Sequence, residues 1–562
     1  MRSSVRGLVS LVALSAVVAA CGSVVAGQAF PGPSPATSST APATQAITVP
    51  SNAAGGGSTA STTSSGSRTS EQTTAGPTPL GPTTSPAPAS GATTTTVPTT
   101  DSGGPAVGSP DGATGSTGIG DSYYPDSGNG GYQVTGYDIE LTYDPLSNAL
   151  SAATTIAGTV TEKTRLGRFD LDLQPTMDVS AVRVNGAAAN FDHRGAELVI
   201  TPTMGLAPGA AVSVVVDYVG RPTDIPGGTA GLGDGGWYRT PSGGAIAIGE
   251  PFSASAWYPV NEHPSDPATY RVTATVPAKW SVISNGVAAT SGLPTAPAGM
   301  KVFRWTQAEP VTSYESTIYI DTFTTVTSAT ADGKPIVSAF APTGDTAKYK
   351  TLAQDTARIV QVLSSHFGPY PFAAAGGIYT GQALSFALET ATRPVYADWV
   401  DTDTIVHELT HQWFGDDVVI QRWSDICLNE CFASYGPWLW YQDTANADLD
   451  AEWVSEMADA KSDPTFWSSP LVDMGPGQEF TSVYSRGPLA VHALRKEMGE
   501  KAFATFLRGW PAAYADRAAS WNDFVAYVNK TAGRDLTPFI DAWFRGTTVP
   551  ATQFLHPGGI GS

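Results

Sequence analysis

The chain places His407 and His411 four residues apart, with Glu408 between them and Glu430 eighteen intervening residues further on. Residues four apart on a helix share one face, so both imidazoles can bind the same ion. Glu408, one step round the helix, is then free to act on a ligand of that ion. This is the H-E-x-x-H arrangement, in which two histidines hold zinc and the glutamate serves as general base. A catalytic zinc takes three protein ligands and keeps one position open. Glu430, in Leu428-Asn429-Glu430 on what reads as a second helix, is the expected third ligand. The competing reading is an amphipathic helix carrying two incidental histidines. It is weakened by scarcity, since the chain has only seven histidines and two stand here at ligand spacing. Asp401 and Asp403 offer N-caps just before the helix, and Trp413-Phe414-Gly415 gives an apolar shoulder and a stop.

A length of 562 residues allows two or three domains. Residues 1–21 read as an export signal, with Arg2 and Arg6 ahead of a mainly apolar run from Gly7 to Ala20. The end of that run, Val18-Ala19-Ala20-Cys21-Gly22, resembles the lipobox of bacterial lipoproteins. Cys21 is therefore the expected lipidation site and membrane anchor, with an ordinary cleaved signal peptide as the alternative. The run is too short for a comfortable spanning helix. Residues 22–130 are dominated by Ser, Thr, Pro, Gly and Ala. Such a stretch buries too little apolar surface to offset its ordering entropy, so it reads as a disordered tether. A formal charge of −20, with no balancing basic stripe, argues against nucleic acid as a partner.

Beyond the tether the pattern becomes alternation. Tyr137, Ile139, Leu141 and Tyr143 point one way, Phe169-Asp170-Leu171-Asp172-Leu173 alternates again, and Val182 and Val184 lead into the hairpin signal Asn185-Gly186. Many short strands with Gly, Pro and Asn punctuation predict a β-rich saddle or sandwich over 131–328. After Asp332-Gly333 the period turns helical, as in Leu352, Thr356, Ile359, Val360, Leu363 and Phe367. The fold class expected is α+β and multidomain: the β-rich domain, a mainly helical domain over 329–548, and a tail at 549–562.

Several separated stretches, in order, resemble the gluzincin zinc aminopeptidases of the alanyl aminopeptidase and leukotriene-hydrolase type. They are Glu250-Pro251, Pro259-Val260-Asn261-Glu262-His263-Pro264, the run from His407 to Gly415, Trp423-Ser424-Asp425, Leu428-Asn429-Glu430 with Phe432-Ala433, and Val483-Tyr484-Ser485-Arg486-Gly487. The resemblance implies a thermolysin-like catalytic domain and one zinc per chain on peptide substrates. It implies that Tyr484 hydrogen-bonds the oxyanion of the tetrahedral intermediate. It also implies that Glu389, in Phe386-Ala387-Leu388-Glu389-Thr390, and Glu250 hold the substrate's free α-amino group. Phe386, Leu388 and Thr390 depart from the family's Gly-x-Met-Glu-Asn motif, which puts strict aminopeptidase specificity in doubt. The chain is also expected to lack the long helical C-terminal domain of larger relatives, leaving a more open cleft.

Cys427 and Cys431 flank Glu430. Four apart on a helix, they fall near the upper end of the disulfide range, yet an exported protein meets an oxidising environment. A disulfide, two buried thiols and metal ligation all stay open. The function expected is zinc-dependent release of N-terminal residues from peptides. The alternatives are a zinc endopeptidase or other zinc hydrolase, and a non-catalytic peptide-binding envelope protein.

Overall fold

The computed structural model describes residues 112–562. The signal segment, Cys21 and residues 22–111 of the tether lie outside the described residues. The N-terminal part is built on an eight-stranded sheet whose centre is formed by Ala268–Pro277, Tyr132–Asp144, Ala149–Val160 and Ala211–Gly220. Ala268–Pro277 and Tyr132–Asp144 run parallel, and the remaining pairs of this sheet are antiparallel. Tyr137, Ile139, Leu141 and Tyr143 are all buried, as the alternation predicts. Met177–Val184 turns back through Asn185 and Gly186, both at positive φ, into Ala187–Ala188. A five-stranded sheet, including Asp224–Thr229 and Ala245–Ile248, carries Glu250 two residues beyond the end of its central strand, Ala245–Ile248.

Two boundaries differ from the sequence reading. Residues 112–130, assigned to the tether, are part of the folded unit. Ala113–Thr114 pairs in parallel with Leu166–Asp172, and Asp121, Tyr123 and Asn129 are buried. Asp121 accepts from the Trp423 backbone N–H at 2.9 Å, and the Tyr124 hydroxyl donates to Glu479 at 2.8 Å. This segment is tied down by two tyrosines and satisfied polar groups, so a scarcity of aliphatic residues does not reveal it. The junction at 328/329 also moves. Thr324–Ala329 pairs along its whole length with Pro335–Phe340, which continues into Ala375–Tyr379 and Val395–Tyr396. The boundary therefore falls near residue 322, and Asp332-Gly333 is a hairpin turn inside the second domain, with Gly333 at φ 88°.

The second domain packs helices around that four-stranded sheet. Thr346–Ala353 and Thr356–Phe367 precede the histidine helix (Thr402–His411) and the glutamate helix (Cys427–Ala433). Gly436–Ala445, Leu449–Ala460, Arg486–Met498, Glu500–Tyr514 and Trp521–Ala532 follow. Buried tryptophans, among them Trp413, Trp453, Trp467, Trp510 and Trp543, fill the space between them. The buried Arg486 guanidinium donates to the carbonyls of Ser469, Trp543 and Gly546. The tail folds back as well, since Trp543 Nε1 donates to the Phe554 carbonyl at 2.9 Å and Ile560 is buried. Among the described residues, no helix is long and apolar enough to cross a membrane.

Candidate metal and peptide site

The histidine helix begins where the sequence places it. Asp401 is its N-cap, accepting from the Thr404 N–H at 2.9 Å and the Thr404 hydroxyl at 2.7 Å. Such a cap stabilises a helix by about 1 kcal/mol. The helix ends at His411 with Gln412 as its C-cap, short of the Trp413-Phe414-Gly415 shoulder, and Gly415 sits in the turn beyond at a φ of 134° that suits only glycine. A Cβ there would also stand 3.2 Å from His411 Nδ1.

His407 and His411 project side by side from this helix, and the neighbouring glutamate helix supplies Glu430. The three ligand atoms form a tight triangle. His407 Nε2 lies 3.1 Å from His411 Nε2, and Glu430 Oε2 lies 3.3 Å from the first and 3.5 Å from the second. Ligands about 2.0–2.1 Å from a tetrahedral zinc stand about 3.3 Å from one another, so these residues fit the ion. Glu430 Oε2 is buried without a hydrogen bond of good geometry. His411 Nδ1 donates to the Phe414 carbonyl at 3.0 Å, which leaves the Nε2 lone pair facing the triangle.

Around the triangle lies a pocket lined by Glu250, Glu389, Glu408 and Tyr484, with Phe386, Leu388, Leu232 and Trp399 as its apolar wall. Every expected catalytic, substrate-binding and metal residue of the folded chain is thus in one place. The Tyr484 hydroxyl is 3.4 Å from Glu430 Oε1, on the metal side of the pocket. Glu389 Oε1 accepts from the Tyr314 hydroxyl at 3.1 Å. Glu250 is 3 % exposed, and its Oε1 is buried with no hydrogen-bond donor.

The electrostatics ask for positive charge. Burial pushes Glu250 well above the usual carboxylate range, and the charges of Glu389, Glu430, Glu315 and Glu408 add to the shift. Burial likewise raises Glu408; His411 opposes it, while Glu389 and Glu430 add. At Glu430 burial is outweighed by His411 and His407, which hold the carboxylate below its ordinary value. A buried group of acids of this kind is stabilised by cations. Two suit the geometry: a metal ion at the triangle and an ammonium beside Glu250 and Glu389.

Sequence reasoning missed the residues that support this pocket. Gln412 donates to the Glu389 carbonyl and to Asp416, and accepts from the Tyr370 hydroxyl and the Thr392 N–H. Its position directly after His411 was the available signal. Tyr314 and Glu315 come from the first domain, and no local pattern marks them. Cys427 and Cys431 are bonded to each other, with their Cα atoms 4.8 Å apart. This is well inside the disulfide range because the turn between them is closed up relative to a regular helix.

Residues 376–543 match the model of the peptidase family M1 domain. The human glutamyl aminopeptidase is 24 % identical over 346 residues, covering 55 % of this chain and 34 % of that protein. Aminopeptidase N of Streptomyces lividans is 25 % identical over 321 residues, covering 50 % of this chain and 36 % of its own. The chain thus spans about a third of the length of these curated relatives. Among solved structures, the M1 zinc metallopeptidase from Deinococcus radiodurans superposes with a TM-score of 0.70 at 30 % identity, over 77 % of this chain and 98 % of that one. A mutant of it solved with a Tyr-Ser-Ala substrate gives 0.69 at 30 % identity, over 77 % and 99 %.

Proposed function

Because the chain belongs to peptidase family M1, we propose that it is a zinc-dependent aminopeptidase that releases N-terminal residues from peptides. The observation that carries the reading is Glu250 and Glu389 in the same buried pocket as the His407–His411–Glu430 triangle. One pair of acids anchors a free α-ammonium, and the triangle fixes where the adjacent peptide bond is attacked. An enzyme so built cuts at chain ends. The apolar wall of Leu232, Phe386, Leu388 and Trp399 supports an apolar or aromatic N-terminal residue.

The mechanism follows from the residues. His407, His411 and Glu430 would hold the zinc, which when bound would supply positive charge to polarise the scissile carbonyl and to acidify water. Glu408 contributes no atom to the triangle and accepts the water's proton, later passing it to the leaving amine. The Tyr484 hydroxyl donates to the carbonyl oxygen as it gains negative charge. Glu389 and Glu250 hold the ammonium, so that attack proceeds from a fixed pose rather than a loose encounter.

Chelation of the metal abolishes hydrolysis of aminoacyl amides on this reading, and zinc restores it. Turnover that persists in metal-free protein would sink it. Tyr484→Phe is expected to lower kcat by about 10²-fold with little change in KM, because the lost hydrogen bond forms fully only in the transition state. A rise in KM at unchanged kcat would instead make Tyr484 a ground-state binding residue.

Export and anchoring through lipidated Cys21 are part of the same proposal. The signal-like segment supports it, as does a bonded cysteine pair, which suits an oxidising environment. Mass measurement of the mature N-terminus tests it. An acylated Cys21 is expected, and an unmodified N-terminus elsewhere would refute the anchor.

A further inference from the structure

The Cys427–Cys431 disulfide lies inside the helix that carries Glu430, and both side chains are fully buried. Their Cα atoms are 4.8 Å apart, whereas a regular α-helix, from its rise and pitch, separates residues four apart by about 6.2 Å. Glu430 immediately precedes Cys431 within that shortened turn. The same sulfur also touches the next element of the site. A Cβ placed on Gly487 would stand 2.9 Å from both Cys431 Cα and Cys431 Sγ. The Gly487 N–H donates to the Val483 carbonyl, in the turn that presents Tyr484. One covalent bond therefore borders the mounting of the third metal ligand and that of the oxyanion donor.

We propose that Cys427–Cys431 is a positioning disulfide that sets Glu430 against the two imidazoles, making the oxidised chain the metal-competent form. The proposal rests on the zinc reading of the triangle. Neither cysteine lines the pocket or belongs to the ligand triangle, so each acts through its neighbour. Relaxation of the turn towards regular helix moves the two Cα atoms apart by about 1.4 Å. Metal sites tolerate ligand displacements of only about 0.2 Å from ideal distances, so a shift transmitted even in part to Glu430 weakens the site. Reduction by a dithiol breaks the S–S bond and delivers two electrons and two protons, giving two thiols while the reductant closes its own disulfide. Linkage makes the effect reciprocal, so the factor by which oxidation tightens zinc is the factor by which zinc resists reduction. A tenfold coupling corresponds to about 30 mV for this two-electron couple.

The test compares the full folded chain when oxidised, when reduced by a dithiol that is removed anaerobically before zinc is added, when reoxidised, and as the C427A/C431A variant. Zinc affinity is read by chelator competition, and the disulfide's midpoint potential at fixed free zinc and without zinc. The reduced protein and the variant are expected to bind zinc about 10- to 100-fold more weakly, the range seen when groups supporting a ligand are removed. At saturating zinc, kcat falls while KM stays within about twofold. Reoxidation restores the wild-type affinity, and zinc lowers the midpoint potential by the matching amount. Should the variant fail to fold, the reduced wild-type chain, checked by circular dichroism, supplies the same comparison. Equal zinc affinities in oxidised and reduced protein would overturn the proposal while leaving the zinc reading intact. Free thiols at Cys427 and Cys431 in unfolded, unreduced protein would also overturn it. Absence of zinc binding by the oxidised chain would overturn both.

Discussion

Replacing Glu408 with glutamine lowers kcat by about 10³-fold, in the middle of the range for loss of a positioned general base. The expectation follows from where the side chain sits. Glu408 is 5 % exposed and lines the pocket between His407 and His411, yet it supplies no atom to the ligand triangle. Glutamine matches it in size and cannot take a proton from water. The variant should therefore still bind one zinc per chain and keep its KM, with the loss confined to the chemical step. Metal analysis beside steady-state kinetics separates the cases. A variant that loses zinc would make Glu408 a ligand or a structural prop, and one that keeps full activity would move the proton transfer to another group.

Glu389→Gln is expected to reduce kcat/KM on substrates with a free α-amine by about 10²–10³-fold, because a buried ionic partner is removed and the substrate ammonium is left unpaired at a cost of about 3–4 kcal/mol. The amide keeps the side chain's shape and can still accept the hydrogen bond from Tyr314. The fold should not suffer. Glu389 is itself raised above the ordinary carboxylate range by burial, with His411 opposing and Glu430 adding, and it is the charged neighbour that most raises Glu250. Neutralising it removes repulsion, so thermal stability should hold or rise while activity falls. Free-amine hydrolysis within about threefold of wild type would leave Glu389 an unused buried acid rather than an ammonium anchor.

The candidate metal site was legible in the sequence because its geometry is local. A spacing of four within one helix aligns His407 with His411, Asp401 can only cap the turn that follows it, and Glu430 sits on the next helix that packs beside the first. Strand alternation was legible for the same reason. What escaped is what depends on long-range pairing. Residues 112–130 are held by contacts from Asp121 and Tyr124 to Trp423 and Glu479, some three hundred residues away, and nothing in a Ser- and Gly-rich stretch announces such partners. Thr324–Ala329 looks like any other strand until its partner Pro335–Phe340 assigns it to the second sheet. The sequence leaves the disulfide open because regular helix geometry places the two cysteines poorly. The fold answers by closing the turn, and a sequence pattern cannot record that.

The central claim is that two buried acids beside a metal triangle make this an enzyme of free chain ends. Its most direct test is hydrolysis of a panel of aminoacyl reporter amides, each beside its N-acetylated peptide counterpart, by the zinc-loaded protein. Turnover of the free amines alone, with no cleavage of blocked peptides, is the result expected from Glu250 and Glu389. Cleavage of the acetylated substrates at comparable rates would contradict the account, assigning the same zinc chemistry to an endopeptidase.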